Sequence, residues 1–142
     1  MLNGIGLKIA RYLERAEEGY EPFTPSDPDA LRAALKPGDV LLVEGNRRIS
    51  VAIKYLTQST WSHAALYIGD ALSRSRNDPD PPVLIEVDLL HGVWAVPLSR
   101  YENFHTRICR PADLSAEDRD RIVHAAIARL VCGPEMPSIG PE

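Results

Sequence analysis

The sequence predicts an α+β fold: a small antiparallel sheet, partly barrel-like, with helices packed on it. Short apolar, β-branched runs recur between turn signals, at Val40–Glu44, His63–Ile68, Val83–Val87, Gly92–Val96 and Thr106–Arg110. Two of them are separated only by the turn Leu89–Gly92, so residues 83–96 read as a hairpin. Segments of helical period lie before, between and after these runs. With 142 residues, 44% of them apolar and 25% charged, the chain has the size and composition of one domain around a single core.

In chain order, residues 2–18 predict an amphipathic helix, with Leu2, Ile5, Ile9, Leu13 and Ala16 on one face and Lys8, Arg11, Arg15 and Glu18 elsewhere. It packs on the domain or lies on a membrane surface. Packing is favoured, because its polar face mixes acids with bases. A Pro-rich connector, Gly19–Asp29, ends in the helix start Ser26-Asp27-Pro28-Asp29, which opens a short helix, Ala30–Leu35. Lys36-Pro-Gly-Asp39 is a turn into the first strand, and Gly45-Asn46 ends that strand. Residues 49–56 predict a helix whose inner face is Ile49, Ala52, Ile53 and Leu56.

A polar turn, Thr57–Ser62, then drops the chain into the strand begun by His63. Alternation puts His63, Ala65 and Tyr67 on one face and Ala64, Leu66 and Ile68 on the other. A surface loop, Ser73–Pro82, leads to the hairpin. Pro97 closes it, residues 99–103 form a short helix or loop, and Pro111 stops the next strand. Ser115, with Asp118 three positions on, caps a last helix running through Leu130 to the stop at Cys132-Gly133. The tail after Gly133 carries three prolines and is neither helix nor central strand. The organisation expected is an N-terminal helix and connector, 1–35, a core, 36–133, and an irregular tail, 134–142.

Composition excludes several function classes. A net charge of −4 argues against a nucleic-acid footprint, and no apolar run reaches membrane-spanning length. The N-terminus lacks a signal-peptide pattern, and two cysteines, Cys109 and Cys132, fit a reducing compartment, so a cytoplasmic location is expected. There is no CxxC, and His63, His91, His105 and His124 have no metal-ligand spacing, so neither a metal site nor a cofactor is expected.

Two residues stand out chemically. His63 at a strand mouth has the rigid backbone and open side that a general base needs; the plainer reading is a strand-end histidine bonded locally. Glu86 is a carboxylate inside an apolar strand, costly there unless it reaches solvent or has a partner, such as the arginine Arg107. Trp61 and Trp94 serve as core or as site walls, Trp61 being the better placed beside His63. His91 and His105 read as solvated.

Four pieces carry a resemblance: Lys36-Pro-Gly-Asp-Val-Leu-Leu-Val43, Thr57-Gln-Ser-Thr-Trp-Ser-His-Ala-Ala-Leu-Tyr-Ile-Gly69, Leu84-Ile-Glu86 with His91-Gly-Val93, and Arg110-Pro111 before the last helix. Over about residues 36–131 the chain resembles the YiiX/YebB-like, circularly permuted papain-fold proteins, relatives of the NlpC-type hydrolases. The resemblance implies a thiol hydrolase or acyltransferase acting on amide or ester bonds, with His63 as base and Glu86 as the carboxylate that orients it. In that family the cysteine comes last, after a glycine followed by Tyr-Asp and a further helical region. Here Pro134-Glu135 follows Gly133, and Cys109 and Cys132 both lie outside the family's cysteine position. Cys132 falls at a helix C-terminus, which disfavours a thiolate, and Cys109 is mid-strand.

The resemblance therefore implies a C-terminally truncated or frameshifted chain, inactive as written, whose substrate (small molecule, lipid or peptide) stays open. Uncovered sheet surface through which copies associate is expected with it. A non-catalytic lipid- or peptide-binding module and a fragment without function are the alternatives.

Overall fold

A computed structural model describes residues 4–15, 26–72 and 77–130. Among the described residues ten elements follow one another: α1 (Gly4–Leu13), α2 (Pro28–Ala34), β1 (Val40–Val43), α3 (Arg48–Thr57), β2 (His63–Tyr67), β3 (Pro82–Asp88), β4 (Gly92–Pro97), a 3₁₀ turn (Leu98–Tyr101), β5 (Thr106–Cys109) and α4 (Ala116–Ile127). The fold is α+β, as expected. Every strand pairing is antiparallel, in the order β4-β3-β2-β1-β5. The barrel-like closure expected from the sequence does not occur. β4 and β5 stand at opposite edges, and strands of four to seven residues across five positions leave the sheet open.

Local signals set the boundaries. Asp27 caps α2, its Oδ1 accepting from the N–H groups of Asp29 and Ala30 at 3.0 and 3.2 Å, with Pro28 at the first helical position. Ser115 caps α4 by accepting from the Asp118 N–H at 3.1 Å. The stretch expected to run to Leu130 is helical to Ile127, and Cys132 and the tail lie outside the described residues. Gly38, at φ +91°, makes the turn before β1 in a conformation that side chains resist.

The sheet separates two cores by strand alternation. Leu41, Val43, Ala65, Leu84 and Val96 point to one face, where Leu31 and Leu35 of the α2 region, Leu98 and Tyr101 close over them. Ile85, with Leu66, Val93 and Ala95, points to the other, covered by Val123, Ala126 and Ile127 of α4. Ala64 and Val87 remain exposed on that second face, beside an open groove lined also by Ala126 and Arg129.

At the far end of β1, Asp39 is fully buried. Arg110 grips it with two parallel bonds, Nε to Oδ1 at 2.9 Å and Nη2 to Oδ2 at 2.7 Å, and the Lys36 N–H donates to Oδ2 at 2.8 Å. Burial pushes this carboxyl up, but the Arg110 and Lys36 bonds outweigh it and hold the group below the usual carboxylate range.

The first helix departs from expectation in orientation. It does touch the domain, at α3, but its buried residue is Ala10; of the face expected to pack, Leu13 is half-buried while Ile5 and Ile9 are 72% and 55% exposed. The inner face expected for the 49–56 helix is also shifted. Ser50 is buried and Ile49 and Ile53 are half-buried, whereas Leu56 is exposed.

Candidate functional site

β2 begins at His63, directly opposite Val43 of β1, and its neighbour on the other side is β3, which carries Glu86. Both side chains point to the face of the larger core. There His63 Nε2 lies 2.9 Å from Glu86 Oε2. The histidine side chain keeps 28% of its surface accessible, whereas that of Glu86 keeps 1%. The sequence-predicted pair is thus brought together by two adjacent strands.

A buried carboxylate needs more than one partner. Glu86 has three. Arg100 Nε lies 3.2 Å from Oε1, and the Tyr101 hydroxyl donates to Oε2, the oxygen that also meets His63. Both residues come from the 3₁₀ turn that follows β4, in a segment the sequence marked only as a short helix or loop. The Arg100 guanidinium also sits 4.7 Å from the centre of the Trp94 ring, which lies opposite Glu86 in the β3–β4 register. The ion partner of Glu86 is therefore Arg100. Arg107, the arginine named from the sequence, pairs across β1 with Leu42 on the opposite face of the sheet.

A cavity of about 550 Å³ opens beside the histidine. His63, Glu86, Arg100 and Tyr101 share its lining with Val43, Ile49, Ile53 and Phe104, and with Arg47 and Asp88 at more polar walls. Its size and mixed lining suit a small organic ligand. Burial lowers the pKa of Arg47, and repulsion from Arg100 adds to this. Asp88 is pushed up by burial, but the His91 backbone N–H and imidazole and the Leu90 N–H overcome this and lower it. Gly45 also lines the cavity. A side chain there would run into the hydroxyls of Ser50 and Ser62, the latter 2.9 Å from where a Cβ would stand.

The sequence expectation for Trp61 is corrected. Trp61 is not among the lining residues; its ring packs on His105 at 5.0 Å. His91 and His105 keep 46% and 37% of their side-chain surfaces accessible, as expected, and each also meets a carboxylate. His91 Nδ1 meets Asp88 at 2.7 Å and its ring stacks on Trp94 at 4.4 Å, while His105 Nδ1 meets Glu44 at 3.3 Å.

Cys109 lies opposite Val40, whereas His63 lies opposite Val43. Positions 40 and 43 of one strand face opposite sides, and three residues of strand span roughly 10 Å. Cys109 is therefore on the wrong face and at the wrong end of the sheet to meet His63. Among the described residues, no group of three or more His, Cys, Asp or Glu side chains is arranged to hold a metal ion.

The chemistry available is that of an oriented imidazole. With Nε2 committed to Glu86, Nδ1 is the nitrogen left to take or give a proton. No family model, curated protein or solved structure matches the chain.

Proposed function

We propose that His63 and Glu86 are the base and the orienting carboxylate of a thiol hydrolase or acyltransferase site acting on amide or ester bonds, in the manner the permuted papain-like resemblance implies. The observation that carries this reading is the 2.9 Å contact between His63 Nε2 and a Glu86 that is itself buried and held by Arg100 and Tyr101. A thiol is mostly protonated at neutral pH, and an imidazole fixed in place can accept its proton. Nδ1 takes the proton, the thiolate attacks the acyl carbonyl, and the imidazolium returns the proton to the leaving amine or alkoxide. Water then releases the acyl group by the same base.

The thiol is the missing partner among the described residues: Cys109 is excluded by register, and Cys132 lies outside them. In this reading the described residues supply the base and its orienting carboxylate but not the thiol.

A thiol supplied in solution tests the base separately. With both cysteines changed to serine, p-nitrophenyl acetate and 2-mercaptoethanol are expected to react faster with the protein than in buffer. His63→Ala is expected to remove its share of that acceleration, and Glu86→Gln to reduce it. Equal rates for the parent and His63→Ala would contradict the proposal. In the cysteine-containing chain, acylation of Cys132 that depends on His63 would name the nucleophile and correct the expectation of inactivity; His63-dependent acylation of Cys109 would contradict the sheet register.

A second reading, a non-catalytic module for a lipid or peptide, draws on the cavity's composition. Apolar walls from Val43, Ile49, Ile53 and Phe104 face Arg47 and Arg100, an arrangement suited to an amphiphile with an anionic end. Saturable binding of a fluorescent fatty acid that survives His63→Ala, without His63-dependent thiolysis, would favour it.

A further inference from the structure

We infer that the outer faces of α1 and α3 form a docking surface for an anionic phospholipid bilayer. The first observation is the inverted use of α1. A helix ordinarily turns its large apolar side chains to the core. This one buries Ala10 and leaves Ile5, Ile9 and Tyr12 exposed at 72%, 55% and 55%. At 100° per residue these three side chains share one stripe, away from the buried side. Neighbouring α3 does the same, with Val51, Tyr55 and Leu56 at 42%, 84% and 80% exposure. The two faces meet where the Arg48 guanidinium sits 4.4 Å from the centre of the Tyr12 ring. Exposed apolar side chains gathered on adjoining helices mark an interaction surface.

The second observation is charge, and it selects the occupant. The protein's net charge is −4, yet neither α1 nor α3 contains an acidic residue. Lys8 and Arg11 lie on the α1 flank beside the apolar stripe, Arg15 continues that flank, and Arg48 stands at the junction. Glu14, one residue past α1, is turned inward to Arg47, with 10% of its side chain accessible, and Glu44 beside α3 meets Lys54 at 3.4 Å with 21% of its side chain accessible. Glu17 and Glu18 follow in the sequence, outside the described residues.

An apolar stripe flanked by bases, with the neighbouring acid hidden, suits the interface of a negatively charged leaflet. In a symmetric pair of copies joined through this face, Lys8, Arg11 and Arg48 of each would stand against the same bases of the other, which disfavours a second copy as the occupant. The inner side of α3 supplies Ile49, Ser50 and Ile53 to the cavity beside His63, so docking would bring that cavity close to the lipid surface. The docking inference stands independently of the catalytic reading.

Cosedimentation with large unilamellar vesicles tests it. The intact chain is expected to bind vesicles of phosphatidylcholine with 30% phosphatidylglycerol, to release them as salt is raised, and to bind pure phosphatidylcholine weakly. Lys8→Gln with Arg11→Gln is expected to reduce partitioning roughly twenty-fivefold, about fivefold for each base removed. Ile5→Ser with Ile9→Ser is expected to abolish sedimentation, and a thermal melt superimposable on the parent's would show that the fold survives.

The inference is overturned if the chain ignores both vesicle types, if it binds them equally, or if these variants bind like the parent. It is also overturned if light scattering shows the parent to be a dimer that the isoleucine variants dissociate, because the occupant is then a second copy.

Discussion

Asp39 and Glu86 are both buried carboxylates on the sheet, both held by an arginine, and they are built for different purposes. Asp39 receives two bonds from Arg110 and one from the Lys36 backbone, donors that keep their protons at any ordinary pH. Glu86 shares one oxygen between a histidine and a tyrosine hydroxyl, and its other oxygen meets Arg100. Asp39 ties the Lys36–Asp39 turn to the residue just after β5. Glu86 lines a cavity and meets Nε2 of an imidazole that keeps 28% of its surface accessible. A buried ion pair on its own argues for structure; one that ends on a half-exposed imidazole argues for use.

Breaking each network separates the two roles. The largest expected effect is Arg110→Met, which strands a fully buried carboxylate. A loss of stability at neutral pH is expected in urea unfolding, smaller than for a fully buried pair because 39% of the arginine side chain is open to water. His63-dependent thiolysis is expected to persist in the folded protein.

The pH dependence follows from the same group. Asp39 is lowered when folded, so near and below its ordinary value of 3.8 the unfolded chain binds the proton more readily than the native one. The parent therefore has this contribution in full above about pH 4 and loses it as pH falls through the folded value. In Arg110→Met the carboxyl loses the bonds from Arg110 and keeps only the lowering effects of the Lys36 N–H and Arg119 against burial, so its pKa moves up and acid costs the variant less than the parent. The gap between the two is expected to narrow from pH 7 to pH 3 in matched urea titrations, and a constant gap would contradict the assignment.

Glu86→Gln should give the opposite profile. The amide still accepts from Tyr101 but leaves Arg100 without its anion, and a loss of about 1–3 kcal/mol is expected, with a larger effect on thiolysis than on folding. Tyr101→Phe removes one donor to a charged acceptor and is expected to cost about 1.5 kcal/mol by the same measurement. Gly45→Ala comes last. Its methyl group would press on Ser50 and Ser62, for about 1 kcal/mol of overpacking, with the Asp39 end untouched.

Much of the sheet was legible because its strands are short, apolar and bounded by turn residues. The alternation that placed His63 with Ala65 and Tyr67 is the alternation observed, since Ala65 joins the larger core and Tyr67 packs against it. Glu86 was legible for the opposite reason: a carboxylate breaks an apolar run, and the fold must supply a partner.

What the sequence concealed was long-range. Arg100 and Tyr101 look like ordinary loop residues until the 3₁₀ turn after β4 brings them back over β3. The Pro97 stop marked where the chain turns, but no periodicity says where it returns. Openness of the sheet depends on how the edge strands are placed, which strand-by-strand patterning does not encode. The direction of α1 was misjudged because an apolar stripe is the same signal whether it faces a core or another surface; burial alone separates the two.

The most direct test of the arrangement is the tautomer of neutral His63, read from long-range ¹H–¹⁵N correlation spectra of the folded protein above the imidazole titration. With Nε2 against Glu86, the proton is expected on Nε2 and the lone pair on Nδ1, and Glu86→Gln is expected to loosen that preference. A proton fixed on Nδ1 in the parent would contradict the account, because the nitrogen proposed to accept a thiol's proton would already be occupied.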